Sequence, residues 1–373
     1  MASRTDSRVR LETRIVIIVS NVFPPDRGGI QTMMAALANV AAAETDDVVV
    51  VAPSTLDARA FDVDAHYRTI RYQNLYRPAN VVAIAVAFCK ALRVARDRTA
   101  FAANWWPSGL AIVMVPRAVR GKLVIFAHGS DVAPSKGGFR KALMQYVYGC
   151  SDVVLANSRF TKDLLAGAGV TRRVSVVSPG VDVVPIAPAR SLEPTVLSVG
   201  RLVKRKGFDR IVFALAALTS RFPTIRYEIV GNGPYRAQLE DLVRKHGLGD
   251  RVVFHGVLSD ADVQRAYARA WCFALPVRAV DGDVEGFGIV YLEAAMARLP
   301  ALGGLHSGAG DAIVDGVTGL LVDGNDVVAV TDALAKIFEN REEAERMGDR
   351  AFDRAKTFTW QRSFDHAKRA LET

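Results

Sequence analysis

The sequence predicts an α/β protein made of two doubly wound parallel-sheet domains in tandem, and three observations lead there. The chain has 373 residues, more than one ordinary α/β core holds. Short Val- and Ile-rich runs alternate with helical patterns from start to end, as expected of strands buried on both faces with helices packed over them. A Pro-rich stretch, SPGVDVVPIAPARSLEP at 178–194, divides these elements into two series and reads as an interdomain linker.

The first series opens with RIVIIVS (14–20) as a buried strand, TMMAALANVAAA (32–43) as a helix and DVVVVA (47–52) as the next strand. KLVIFA (122–127), DVVLAN (152–157) and RVSVVS (173–178) supply its later strands. The second series has strands at TVLSVG (195–200), RYEIVG (226–231), RVVFHG (251–256), CFALPV (272–277), PALGGL (300–305) and GLLVDG (319–324). The predicted domains are residues 1–185 and 186–359, with a last helix over 360–373. Ligands of doubly wound sheets sit outside the carboxyl ends of the strands, so two such domains are expected to face a deep cleft.

Composition narrows the function classes. Half the residues are hydrophobic and 23% are charged, which describes a packed globular protein. The N-terminal MASRTDSRVRLETR lacks the apolar core of a signal peptide and reads as a frayed tail. The apolar run Ala79–Cys89 is too short to span a bilayer. Cys89, Cys150 and Cys272 are far apart and form no CxxC pair, so each reads as a small buried hydrophobe in a reducing cytoplasm.

The formal net charge of +9 is uneven: residues 1–185 hold 23 Lys and Arg against 14 Asp and Glu, whereas residues 186–373 hold 25 of each. A basic first half suits an anionic membrane surface or a lipid-phosphate acceptor, or is a solvated basic surface without a partner. No nucleic-acid-binding motif accompanies it.

The most specific segment is DGDVEGFGIVYLEAAMARLP, 281–300. Glu285 and Glu293 flank Gly286 and Gly288, and a helix is expected to begin near Ile289. Small residues there let backbone N–H groups approach a ligand, and a helix N-terminus favours an anion or an electronegative sugar oxygen. Glu293, one turn in, is placed to accept hydrogen bonds from ribose hydroxyls. Asp281-Gly282-Asp283 spells DxD, a metal motif elsewhere, but before the EGFG loop it reads as loop chemistry.

That segment resembles the signature of glycosyltransferase family 4, whose members have the GT-B fold. Three further segments match the family in the same order: FPPDRGGIQTMMAALA (23–38), GRLVKRKGFD (200–209) and VGNGPYRAQLE (230–240). The wording EGFGIVYLEA is similar to that of actinobacterial phosphatidylinositol mannosyltransferases. The resemblance implies a retaining, metal-independent hexosyltransferase without a cofactor, in which the acceptor is bound by the N-terminal domain, the nucleotide-sugar donor by the C-terminal one, and the last helix crosses back to the N-terminal domain.

Residue by residue, the resemblance implies that Arg201 and Lys206 clamp the leaving diphosphate, the work a metal does elsewhere. It implies donor contacts from Gly28, Gly29, Gly231, Gly256, Val257, Glu285, Gly286, Phe287, Gly288, Ile289 and Glu293. His128, at the end of KLVIFAHG, is expected near the reacting carbon, so the catalytic group is His128, Arg201, Lys206 and Glu285. Asp131 is a candidate for orienting the acceptor. Trp105-Trp106 is read either as an acceptor platform at Trp105 or as buried packing.

Residues 307–322, SGAGDAIVDGVTGLLV, depart from the family by carrying Gly310 and Asp311 where Pro and Glu are common, which bears on contacts near the donor. The likeness to those mannosyltransferases implies GDP-mannose as the favoured donor and a lipid-linked or glycan hydroxyl as the acceptor. The alternatives are UDP-glucose or a UDP-N-acetylhexosamine on a soluble acceptor, a UDP-sugar 2-epimerase of the same fold, and a non-catalytic binder. An NAD enzyme lacks support because GxGxxG is missing. The expected location is cytoplasmic, peripheral to the inner membrane face.

Overall fold

The computed structural model describes residues 16–44, 47–76, 78–94, 98–132 and 138–372. The expected frayed tail lies outside the described residues. By its internal contacts the chain divides into two compact units. One comprises residues up to 126, 146–154 and the last four residues; the other comprises 127–145 and 155–369.

Seven strands form the first sheet: β1 (Val16–Val19), β2 (Val48–Ser54), β3 (Arg68–Gln73), β4 (Thr99–Ala102), β5 (Lys122–Ala127), β6 (Val153–Ala156) and β7 (Val174–Val176). Six form the second: β8 (Thr195–Val199), β9 (Arg226–Val230), β10 (Val252–Gly256), β11 (Cys272–Leu275), β12 (Ala301–Gly304) and β13 (Gly319–Val322). The orders are β3-β2-β1-β4-β5-β6-β7 and β10-β9-β8-β11-β12-β13. Pairing is parallel from β3 through β5 and throughout the second sheet. Each sheet reverses its winding once, at β1/β4 and at β8/β11, and such switch points open a crevice at the strands' carboxyl ends.

The Val/Ile runs become buried strands because helices cover both faces. In the second sheet, helix Phe208–Leu218 buries Phe208, Ile211, Val212 and Leu215, and helix Val327–Glu339 buries Leu334 and Ile337. At roughly 1.5–3 kcal/mol for each fully buried large aliphatic or aromatic side chain, this apolar face dominates the stabilisation of the layer. Two strands were not anticipated. β3 is polar, RTIRYQ, because it is an edge strand; its Arg71 pairs with Asp62 at 2.7 Å and donates to the carbonyls of Pro53 and Pro24. β4 is only TAFA, too short to show a period.

The cysteine expectation needs correcting. Cys272 is buried, Cys150 partly so, and Cys89 is exposed, because helix Ala79–Val94 turns Ile84, Phe88 and Leu92 inward and leaves Cys89 off that stripe. The stretch 178–194 carries no strand or helix. The last helix, Trp360–Glu372, starts against that stretch: Trp360 Nε1 donates to Asp182 at 3.0 Å and Ser363 Oγ to the Ser178 carbonyl at 2.7 Å. Among the described residues no helix is long and apolar enough to cross a membrane.

Candidate active site

The winding reversal of the second sheet brings two loops together, the one after β8 and the one after β11. The first leaves β8 at Gly200, makes a single tight turn over Lys204–Lys206, and enters helix Phe208–Leu218 through Gly207. The second runs from Pro276 to Gly288. They are stitched together by the backbone N–H of Arg278, which donates to the Arg205 carbonyl at 2.8 Å. A buried, two-pronged ion pair reinforces this, Arg278 to Asp209 at 3.0 and 2.8 Å. Removing one partner of such a pair leaves an uncompensated buried charge, costing about 3–5 kcal/mol.

Within the second loop, Val280 and Asp283 exchange backbone hydrogen bonds across Asp281-Gly282, whose φ angles are 52° and 81°. Two positive φ values in a two-residue hairpin make a type I′ turn, for which Asp-Gly is a preferred pair. The DxD is therefore a turn, and Asp283 spends its carboxylate on Arg205 Nε at 2.8 Å.

Past that turn, Glu285 Oε2 receives two cations, Lys206 Nζ and Arg205 Nη1, each at 2.5 Å. Burial by itself would raise this carboxyl, but Lys206 and Arg205 together bring it down to about 2. Arg201 points outward, exposed, and forms no ion pair among the described residues. The loop after β8 thus presents two exposed cations without an ion pair among the described residues, Arg201 and Lys204, and two held on carboxylates, Arg205 and Lys206.

Gly286 cannot be another residue without rearrangement: a Cβ there would stand 2.0 Å from the His128 carbonyl oxygen and 2.8 Å from Asn157 Nδ2. The neighbouring Glu285 bridges to Gly129, and its carbonyl accepts from Gly308 N–H at 3.0 Å. This places His128, buried at the end of β5, against the Glu285–Gly286 backbone. Gly288, at φ 86°, turns the chain into helix Ile289–Met296, whose N-terminus no side chain caps. Phe287 is buried against Phe358.

One turn into the helix, Glu293 accepts from Tyr267 Oη at 3.0 Å. Burial raises its carboxyl, which Tyr267 counteracts and Asp182 and Asp260 push further up. Glycines also end the neighbouring strands: Gly231 N–H donates to the Gly256 carbonyl at 2.7 Å, and Gly200 N–H to Val230 at 2.9 Å. Val257 follows, exposed, and His255 is held by Glu228 at 3.1 Å.

The structure therefore brings together His128, Lys206, Glu285, Gly286, Phe287, Gly288 and Ile289, with Arg201 and Glu293 on the same loop and helix. Three other residues singled out in the sequence are engaged elsewhere or buried. Asp131 turns back on its own loop, where Oδ1 accepts the His128 backbone N–H at 2.9 Å. Trp105 is fully buried and cannot serve as an exposed platform; its neighbour Trp106 is the partly exposed ring, 6.1 Å away. Asp311 is engaged by Arg159, through the backbone N–H at 2.5 Å and Nε at 2.6 Å.

Gly28 and Gly29 lie in the other unit, at the start of helix Gly29–Glu44 after β1. Arg205 was missed because it sits inside the run KRK, where nothing in the pattern separates it from its neighbours. Arg278, Asp209 and Tyr267 were missed because their partners are distant in sequence.

Residues 27–184 match the model of Glycosyltransferase Family 4, and residues 186–354 that of Glycosyl transferases group 1. The chain is 33% identical to the GDP-mannose-dependent alpha-(1-6)-phosphatidylinositol monomannoside mannosyltransferase of Mycolicibacterium smegmatis, over 89% of this chain and 91% of that one. It is 30% identical, with the same coverage, to the protein of that name from Mycobacterium tuberculosis.

Among solved structures, sucrose-phosphate synthase from Thermosynechococcus elongatus superposes with a TM-score of 0.81 at 22% identity, covering 95% of this chain and 98% of its own. HepE from Anabaena, in complex with UDP and glucose, also gives 0.81, at 17% identity, covering 96% and 99%. The motifs, their assembly around the loops after β8 and β11, and the extent of these matches lead to one conclusion: the chain is a GT-B glycosyltransferase and belongs to glycosyltransferase family 4.

Proposed function

We propose that this chain is a retaining, metal-independent hexosyltransferase that transfers mannose from GDP-mannose to a hydroxyl of a lipid-linked acceptor. The observation that carries the reading is the cationic loop Arg201–Lys206 lying beside the uncapped N-terminus of helix Ile289–Met296. Two side-chain cations and a helix terminus are what a leaving diphosphate needs as the glycosidic C–O bond breaks, because they stabilise negative charge where it develops.

In this reading Glu293 accepts from the ribose hydroxyls, Glu285 and the backbone at Gly286–Ile289 hold the sugar, and His128 lies near the anomeric carbon. The acceptor hydroxyl attacks from the face the leaving group departs, and a leaving phosphate oxygen takes its proton. The protein's work is positioning and charge stabilisation. Mannose and a lipid acceptor are supported by the names of the two mycobacterial relatives, and a cytoplasmic, membrane-peripheral location by the basic first half.

A melting-temperature panel of GDP-, UDP- and ADP-sugars tests the donor, since bound donor raises apparent stability by mass action. GDP-mannose gives the largest rise; a larger rise with a UDP-sugar overturns the donor assignment. NMR of the product reads anomeric configuration, and turnover in EDTA equal to that with added Mg²⁺ is expected. Loss of activity in EDTA would refute the cation clamp as the sole charge stabiliser.

A further inference from the structure

Glu285 carries more positive charge than it needs, on one oxygen. Lys206 and Arg205 both reach Oε2 at 2.5 Å, and all three side chains are largely buried. The two cations are held differently. Lys206 is a point charge on a flexible four-carbon stem, and its ammonium has this one ion-pair partner among the described residues. Arg205 is pinned three ways: Nη1 on Glu285, Nε on Asp283 at 2.8 Å, and its carbonyl under the Arg278 N–H at 2.8 Å. The Arg278–Asp209 pair fixes that last anchor in turn.

If Lys206 is to take a diphosphate, as proposed above, it must leave Glu285 or share it. A buried carboxylate stripped of its counter-ion is costly, so a carboxylate with one cation would hold on to that cation. We propose that Arg205 is a positioning residue that frees Lys206 for the donor: it keeps Glu285 in place and charge-balanced while Lys206 moves from the carboxylate to the diphosphate. Arg205 touches neither donor nor acceptor in this role. It sets how tightly Lys206 is held by Glu285, and so how strongly the loop binds any nucleoside diphosphate, whatever its base.

This inference rests on the reading that Lys206 receives the diphosphate. The experiment therefore measures binding rather than turnover, using the full chain, calorimetry and GDP or UDP as the probe. Arg205→Met weakens binding by about tenfold, one charge contact's worth. Adding Glu285→Gln to Arg205→Met brings affinity back to within about threefold of Glu285→Gln alone, because the competitor for Lys206 has lost its charge. Asp283→Asn, which loosens Arg205 at an exposed anchor, weakens binding about two- to threefold.

Thermal melts of each variant verify the fold, and Asp283→Asn keeps the test open if Arg205→Met does not fold. A merely structural Arg205 would show its rescue by Glu285→Gln in the melting temperature, whereas the proposal requires affinity to be lost and rescued in variants that melt as folded proteins. Wild-type affinity in both Arg205→Met and Asp283→Asn, or a loss in Arg205→Met that Glu285→Gln does not relieve, overturns the proposal. If the wild type binds neither nucleotide, or Lys206→Met binds as well as wild type, the underlying reading fails and the proposal falls with it.

Discussion

Two strand–glycine–helix turns, one in each unit, look alike in sequence and differ in structure. Gly28-Gly29 leads from β1 into helix Gly29–Glu44, and Gly286-Phe287-Gly288 leads into helix Ile289–Met296. At Gly28 the nearest atoms an added Cβ would meet are the amide end of the Gln31 side chain, which can rotate away; at Gly286 it would meet the main-chain carbonyl of His128. The first turn tolerates a side chain and the second forbids one. The second is also where charge concentrates, with Lys206 and Arg205 on Glu285 and Glu293 a turn beyond. A glycine before a helix thus says little until the atoms it makes room for are known.

The sharpest way to break the contrast is to remove charge from the second turn. Lys206→Ala is expected to reduce transfer about 10²–10³-fold, the scale of losing one stabiliser of developing negative charge, and to lower the melting temperature through the lost pair with Glu285. Steady-state assays beside thermal melts measure both. Next in size, Gly286→Ala should destabilise by about 1–3 kcal/mol through overpacking, read by chemical denaturation. A stability equal to wild type would mean that the His128 loop moves aside freely.

Acid titration sharpens the same point. The Glu285 carboxyl titrates at about 2 in the folded protein against an ordinary 4.5. Its stabilisation is therefore complete above about pH 4.5 and is lost as pH falls toward 2. Glu285→Gln should flatten that part of the stability–pH curve while leaving neutral-pH unfolding cooperative.

Smaller still, Tyr267→Phe removes the hydroxyl that donates to Glu293 and should weaken nucleotide binding by about 1 kcal/mol, roughly fivefold; calorimetry reads it. Last, Gly28→Ala should change stability by less than about 0.5 kcal/mol. A loss as large as that of Gly286→Ala would erase the contrast between the turns.

Much of this was legible because strands buried on both faces keep a continuous apolar run. β5 and the inner strands β8, β11 and β12 of the second sheet were readable for that reason. β3 was not, because an edge strand needs polar residues on its open side, and Arg71 looks like surface until its ring of acceptors is seen. Lys206, Glu285 and Gly286 were singled out because the short segments that hold them resemble the family's local motifs. Arg205 and Arg278 were not, because what distinguishes them is a partner 69 to 80 residues away. Trp105 left two readings open, platform or packing, and its burial decides for packing.

The central claim is that the diphosphate of a nucleotide is held by the loop after β8 and the N-terminus of helix Ile289–Met296. A crystal structure with GDP bound tests it most directly. Phosphate oxygens within hydrogen-bonding distance of Lys206 Nζ and of the first-turn N–H groups of that helix, with Arg205 still on Glu285, are the predicted result. Phosphates seated away from that loop, with Lys206 still closed on Glu285, would contradict it.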